Sequence, residues 1–320
     1  MNDIANRPSQ CPLCDNQGTY LYTGRDFMFD GDKEFVYHKC THCGATYPWP
    51  IPNEKKIAAY YPDDYRIYKD SEKVKKYSAI KKVVLKYKFN YRHIKQPMIM
   101  RILAPVLSLF FYRNSLRFTL PGRVLDIGCG NGYLLQKLAD AGWLAEGVEF
   151  NEQAVQNCRS QGFAVHHGDL HSAELDDETF NLITTSHVIE HMPNPDAFLK
   201  EASRILQAGG QFLIRTPNGK ALGRKWFGKY WYADDVPRHL IIFNVCNLDK
   251  LASKHGFRRA YLKLYTSPKN LLNSIDYKTG NKGKPSKKRK LRRLIAKLYV
   301  FLAFISGRGD EIYAIYEKKY

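Results

Sequence analysis

Residues 123–132, Arg-Val-Leu-Asp-Ile-Gly-Cys-Gly-Asn-Gly, constrain this chain more than any other stretch. Val124, Leu125 and Ile127 form a short apolar run that reads as a buried parallel strand, and Gly128, Gly130 and Gly132 read as the turn at its carboxyl end. Leu134, Leu135 and Leu138 then mark a helix over Tyr133 to Ala139. Strand, glycine turn and helix make the unit from which an open α/β sheet is built, and the turn is where such a sheet takes a nucleotide-like ligand. The spacing is not the Gly-x-Gly-x-x-Gly of a dinucleotide turn, and the acid Asp126 precedes the glycines. A carboxylate there suits a cationic ligand better than a pyrophosphate.

The pattern repeats downstream. Leu144 to Phe150 reads as a second strand ending in Glu149, placed to take two ribose hydroxyls, with Phe150 beside it to pack on a base. Asn151 is a helix cap, and the helix runs to about Ser160. Ala164 to Leu170 reads as the third strand with Asp169 at its exit, and Phe180 to Ser186 as the fourth. A helix over Asp196 to Leu206, the pair Gly209-Gly210 and a fifth strand over Gln211 to Arg215 follow. Asn244 caps a helix to His255, and strands over Arg258 to Tyr265 and Glu311 to Glu317 complete the series. This alternation predicts a doubly wound, mostly parallel, seven-stranded Rossmann-like sheet.

An acid followed by Gly-x-Gly-x-Gly, with acids after the next two strands, resembles the class I S-adenosylmethionine-dependent methyltransferases. The resemblance implies that Asp126, Gly128, Cys129 and Gly130 line the methionine and sulfonium, that Glu149 and Phe150 hold the nucleoside, and that Asp169 meets the adenine amino group. Leu170, Ser186 and His187 are expected to complete that cofactor site. His187-Val-Ile-Glu-His-Met-Pro-Asn-Pro195 looks like the motif that faces the transferred methyl in small-molecule methyltransferases. Imidazole titrates near neutral pH, so His191 is the first choice for a general base, with Glu190 as partner. The zinc-ribbon-bearing bacterial sugar methyltransferases resemble this chain over most of its length and carry a Glu-His pair here. Where some of them have a tyrosine two residues before the glutamate, this chain has Val188, which leaves the attacked carbon or oxygen open.

Cys11-Pro-Leu-Cys14 and Cys40-Thr-His-Cys43 each present two thiolates at the spacing that suits one tetrahedral ion, with 25 residues between Cys14 and Cys40. Short strands over Gly18 to Tyr22 and Glu34 to His38, and Gly44 after the second pair, read as a zinc ribbon holding a structural Zn²⁺. His38 and His42 are alternative ligands. A redox role for either pair would need a thioredoxin-like βαβ setting, which the sequence lacks. Met1 to Gln10 is polar and no apolar export segment follows, so the cysteines suggest a cytoplasmic protein.

The expected organisation is a zinc-ribbon module over 1–60, a basic and apolar helical linker over 61–120 and a methyltransferase domain over 121–320. In the linker, lysine and arginine recur from Arg66 to Arg101, and Met98 to Tyr112 is apolar almost all round but too short to cross a bilayer. That segment reads as a helix in the membrane interface, as one packed on the catalytic domain, or as an RNA-binding helix. Lys+Arg total 50 against 31 Asp+Glu, a surplus that predicts an anionic partner. An aromatic insertion, Gly219 to Phe243, offers Trp231, Tyr232, Asp235, Arg238 and His239 for a carbohydrate, or forms a packed flap. Tyr277 to Arg293 reads as a basic loop, and Leu294 to Ile305 as a second greasy helix. The first expectation is methylation of a sugar on a nucleotide or polyprenyl carrier, in surface polysaccharide assembly, by an enzyme peripheral on the inner face of the cytoplasmic membrane. The alternatives are an RNA methyltransferase, a lipid or quinone methyltransferase, and a cofactor-binding protein without turnover.

Overall fold

The N-terminal strands form because Tyr, Thr, Phe and Val alternate between turns, and they make an antiparallel sheet of their own. It runs β1 (Ser9–Gln10), β2 (Gln17–Arg25), β3 (Glu34–Cys40), β4 (Thr46–Pro48), in that order. A computed structural model describes residues 9–52, 59–61, 78–88, 91, 94–95, 97–111, 121–282 and 289–320. The chain divides into two compact units: residues 1–63, 186–203 and 213–319 form one, and residues 64–185, 204–212 and Tyr320 the other.

The larger sheet has seven strands in the order β10-β11-β9-β8-β5-β6-β7. They are β5 (Arg123–Ile127), β6 (Leu144–Glu149), β7 (Ala164–His167), β8 (Phe180–Ser186), β9 (Leu206–Pro217), β10 (Phe257–Tyr265) and β11 (Glu311–Lys318). Neighbours β5–β6, β5–β8 and β6–β7 are parallel, whereas β10–β11 is antiparallel. Val124 and Leu125 are fully buried in β5, as an apolar run in a two-sided sheet requires. The helices are α1 (Ala79–Lys88), α2 (Met100–Phe111), α3 (Tyr133–Asp140), α4 (Glu152–Ser160), α5 (Pro195–Ile205), α6 (Leu222–Phe227), α7 (Val245–Lys254), α8 (Pro268–Thr279) and α9 (Arg289–Ile305). Asn151 caps α4 by accepting the Ala154 N–H, and Asn244 caps α7 in a reciprocal box with Asn247.

Three expected boundaries move. Strand β7 ends at His167, so Asp169 lies in the turn beyond it rather than in the strand. The Gly209-Gly210 pair, expected before the fifth strand, lies inside β9; a Cβ on Gly210 would meet Gln207 O and Leu206 Cγ at 2.8 Å, so close packing rather than a turn accounts for this glycine. The expected basic loop is helical at both ends, α8 reaching Thr279 and α9 starting at Arg289, because lysine and arginine are good helix formers. Its centre, 283–288, lies outside the described residues, as do 62–77 and 112–120 of the expected linker.

Candidate active site

His187 to His191 follow β8 directly. Ile189–His191 form one 3-10 turn, and His187 adopts a left-handed φ of 58°. Glu190 is fully buried within its unit and acts as the hub. One carboxylate oxygen lies 3.1 Å from His187 Nδ1, and the other accepts the Thr216 hydroxyl at 2.9 Å. Its backbone carbonyl accepts the Leu240 and Ile241 N–H groups at 2.8 and 3.1 Å, which ties the 3-10 turn to the end of the aromatic insertion. Burial alone would raise the Glu190 carboxyl, but the hydrogen bond and charge of His187 hold it down at about 2. Conversely, burial lowers His187 while Glu190 and Glu311 outweigh it and raise that imidazole.

His191 Nδ1 sits 2.9 Å from the Arg238 carbonyl and 2.8 Å from the Tyr61 hydroxyl. A carbonyl only accepts, so Nδ1 carries the proton and Nε2 presents a lone pair. The His239 ring stands edge-on to His191 at 4.7 Å between centroids, and His239 Nε2 is 3.8 Å from Glu190. Burial and the neighbouring His191 push His239 down to about 4, so it is neutral at physiological pH. Glu190, His191 and His239 thus bring one ligating atom each within 4.8 Å of one another. Tyr61 was not singled out in the sequence; 130 residues separate it from His191, and its tyrosine-rich segment carries no motif.

The expected substrate residues separate into two groups. Trp231 is 3% exposed and lies in a core with Ala221, Leu271 and Tyr299, entering where Gly223 has no side chain. Arg238 is fully buried, gripped by Asp26 at 2.6 Å and Asp235 at 2.6 Å. These two therefore build the site wall. Tyr232 and Asp235 are partly exposed and, with Arg25, Phe27, Lys229 and Tyr277, line a cleft of the same unit. His239 is buried next to His191.

In the other unit, Glu149 accepts the Gly130 N–H at 2.8 Å and the Asn151 N–H at 2.9 Å, one on each carboxylate oxygen. Phe150 beside it is 75% exposed. Asp126 is buried and accepts the Thr184 hydroxyl at 2.6 Å. Burial, with Glu149 adding to it against the Thr184 hydrogen bond, pushes its carboxyl up to about 7. Gly128 and Gly130 have left-handed φ values of 72° and 51°, and the buried Cys129 side chain joins a core with Leu135 and Cys158, so only its backbone belongs to the turn surface. Asp169 is exposed, and the Ser172 N–H holds its carboxyl below the usual range, while Leu170 is buried. Ser186, the last residue of β8, is partly exposed.

A family model described as a methyltransferase domain matches residues 99–261, half of the chain. The chain belongs to this methyltransferase-domain family. A "probable S-adenosylmethionine-dependent methyltransferase" of Mycolicibacterium smegmatis is 34% identical over 136 residues, covering 42% of this chain and 51% of that protein. A ubiquinone biosynthesis O-methyltransferase of Methylococcus capsulatus is 32% identical over 108 residues, covering 31% of this chain and 46% of that one. The chain thus spans about half the length of these curated relatives. A solved S-adenosylmethionine-dependent methyltransferase from Archaeoglobus fulgidus is 22% identical with a TM-score of 0.45, covering 62% of this chain and 86% of that one.

The methyltransferase domain has the acceptors and the ring face that S-adenosylmethionine needs. Each Glu149 oxygen keeps a lone pair for a ribose hydroxyl after accepting its backbone N–H, and the uncovered Phe150 ring offers a face for adenine. When bound, the cofactor supplies an electrophilic methyl on a positively charged sulfur. The four cysteines also fit a single ion: Cys11–Cys43 and Cys14–Cys40 sulfurs are 3.6 Å apart, and all four lie within 4.8 Å of one another. Backbone N–H groups of Leu13, His42 and Cys43 point at these sulfurs, as thiolates require.

Asp126 gives a pH test. Its folded pKa is raised above the unfolded value, so the stability it contributes is complete below about pH 4 and is lost as pH rises through about 7. Asp126→Asn is expected to stabilise the cofactor-free methyltransferase domain at pH 8 by on the order of 3 kcal/mol, with little change at pH 4. The same variant should bind S-adenosylmethionine more weakly. Thermal melts across pH and titration calorimetry read the two opposite effects, and an asparagine variant that is less stable at pH 8 contradicts the assignment.

Proposed function

We propose that this protein transfers the methyl group of S-adenosylmethionine to a sugar carried on a nucleotide or polyprenyl lipid, in the assembly of a bacterial surface polysaccharide. His191 Nε2 removes the acceptor's proton while Glu190 fixes the surrounding histidines. Among the cofactor residues, Glu149 takes the ribose, Phe150 the adenine, Asp169 its amino group, and Asp126 with the Gly128–Gly130 backbone the sulfonium end. Cys11, Cys14, Cys40 and Cys43 hold a structural Zn²⁺.

The observation that carries the sugar reading is the cleft in the unit that contains His191. Phe27 and Tyr277 stack at 5.5 Å, Tyr232 lies 5.6 Å from Tyr277, and Arg25, Lys229 and Asp235 line the same cleft, backed by Trp231 and Arg238. Rings suit sugar faces and the cations suit the phosphates of either carrier, while Asp235 is held against the buried Arg238 and shapes the floor. A quinone acceptor is the second reading, favoured by the similarity to ubiquinone biosynthesis O-methyltransferases. Mass spectrometry of surface polysaccharide and of the quinone pool, from cells with and without the gene, separates the two. Loss of a methyl from the glycan with unchanged quinones is the expected result; loss from the quinone with intact glycan overturns it.

A further inference from the structure

Helix α9 has three faces. Ala296, Tyr299 and Ala303 point inward and pack in the cluster that holds Trp231 and Leu271. Turned away from them, Leu291, Leu294, Leu298, Phe301, Phe304 and Ile305 recur at three- and four-residue spacing and are all at least half exposed, Phe304 reaching 80%. Along one edge of that stripe run Lys290, Arg293 and Lys297, each exposed. The helix carries five lysines and arginines and no acid over its 17 residues. Lys284, Lys287 and Lys288 precede it in the sequence. Water is the wrong solvent for six large exposed apolar side chains in one row.

We propose that α9 lies in the interface of an anionic lipid bilayer, its apolar stripe among the acyl chains and its basic edge against acidic headgroups. The charge pattern selects this occupant. Lys290, Arg293 and Lys297 border the stripe at the spacing that lets long stems snorkel toward phosphates while the helix axis stays parallel to the surface. A second copy of the chain is a poorer fit, since pairing two such stripes brings two like-charged edges around one apolar seam. Among the described residues no helix is long and apolar enough to cross a membrane, so the contact is with one leaflet. The inference is independent of which acceptor is methylated.

The test is sedimentation of the full-length protein with phosphatidylcholine vesicles, with and without phosphatidylglycerol. Binding is expected only with the anionic lipid and should weaken as salt rises. Phe301→Glu with Phe304→Glu, and separately charge reversal at Lys290, Arg293 and Lys297, should each reduce binding about tenfold or more. These side chains are exposed, so melting temperature and cofactor affinity should stay at wild-type values, which shows that the variants fold. Wild-type protein left in the supernatant with phosphatidylglycerol at low salt overturns the proposal. So does vesicle binding unaffected by both variants, or sedimentation equilibrium in which Phe301→Glu with Phe304→Glu splits a stable dimer while vesicle binding is absent.

Discussion

Cys11→Ser or Cys40→Ser is expected to release one Zn²⁺ per chain, melt the N-terminal sheet and abolish methyl transfer together. The apolar core around the four thiols is small, essentially Cys11, Cys40, Ala45 and Tyr47 with Leu13 and Trp49 against it. Beyond it the sheet is covered within its unit by Phe35 and Tyr37 packing on Val236 and Ile242, so the end that carries the thiols has little buried apolar surface of its own and needs a staple. A tetrahedral thiolate site contributes on the order of 10 kcal/mol to the folding of such a module. The effect reaches the histidine cluster through contacts inside one unit. Tyr37 donates to the His239 carbonyl at 3.2 Å, Asn244 donates to the Cys43 carbonyl at 3.0 Å, and Asp26 pairs with the buried Arg238. Arg238 in turn offers the carbonyl that fixes the His191 tautomer. Metal content, far-ultraviolet circular dichroism and turnover should therefore fall in step in the serine variants, while Cys246→Ser, at an exposed position, changes none of them. A Cys40→Ser protein that keeps its melting temperature would show the four thiols to be incidental.

The parts of this molecule legible in its sequence are those that depend on neighbours in the chain. Strand β5 and its glycine turn, the caps Asn151 and Asn244, and the two cysteine pairs are each set by residues a few positions apart, where spacing has a direct geometric meaning. What was hidden depends on partners far away. Arg238 reads as a ligand for substrate until Asp26, 212 residues earlier, is seen to neutralise it in a fully buried site. Trp231 reads as a stacking platform because its type says nothing about which face it presents; the room left by Gly223 turns it inward. Gly209-Gly210 reads as punctuation before a strand, yet both lie inside β9: Gly209 takes a left-handed φ of 71° while Gly210 is demanded by close packing, and the two demands look alike in one sequence. Tyr277–Thr279 and Arg289–Arg293, the two ends of the basic run, read as solvated loop, although lysine and arginine favour helix wherever one face is apolar. The Tyr61–His191 contact has no local signal at all.

His191→Gln is expected to lower kcat by about 10²-fold or more with unchanged S-adenosylmethionine affinity. Glutamine's amide can donate toward the Arg238 carbonyl but cannot take up a proton, so the variant removes the chemistry and spares the scaffold. Glu190→Gln should also reduce turnover. Glutamine's amide oxygen still accepts from the His187 imidazole, but without the negative charge His187 loses the partner that raises its pKa. Glu190 acts through the histidines, so its signature is a shifted pH profile in addition to a lower rate. Glu190, His191 and His239 bring ligating atoms within 4.8 Å of one another, so the competing account is a divalent cation held there, which would lower the pKa of an acceptor hydroxyl. His239→Asn separates the two chemistries. If His191 is the proton acceptor, this variant keeps most of the wild-type rate, since the buried, neutral His239 only packs against His191. If the cluster holds a cation, His239→Asn falls as far as His191→Gln. Turnover should then be lost to a chelator at concentrations that leave the four-cysteine ion in place, and that pair of results would move the reaction from an imidazole to a metal.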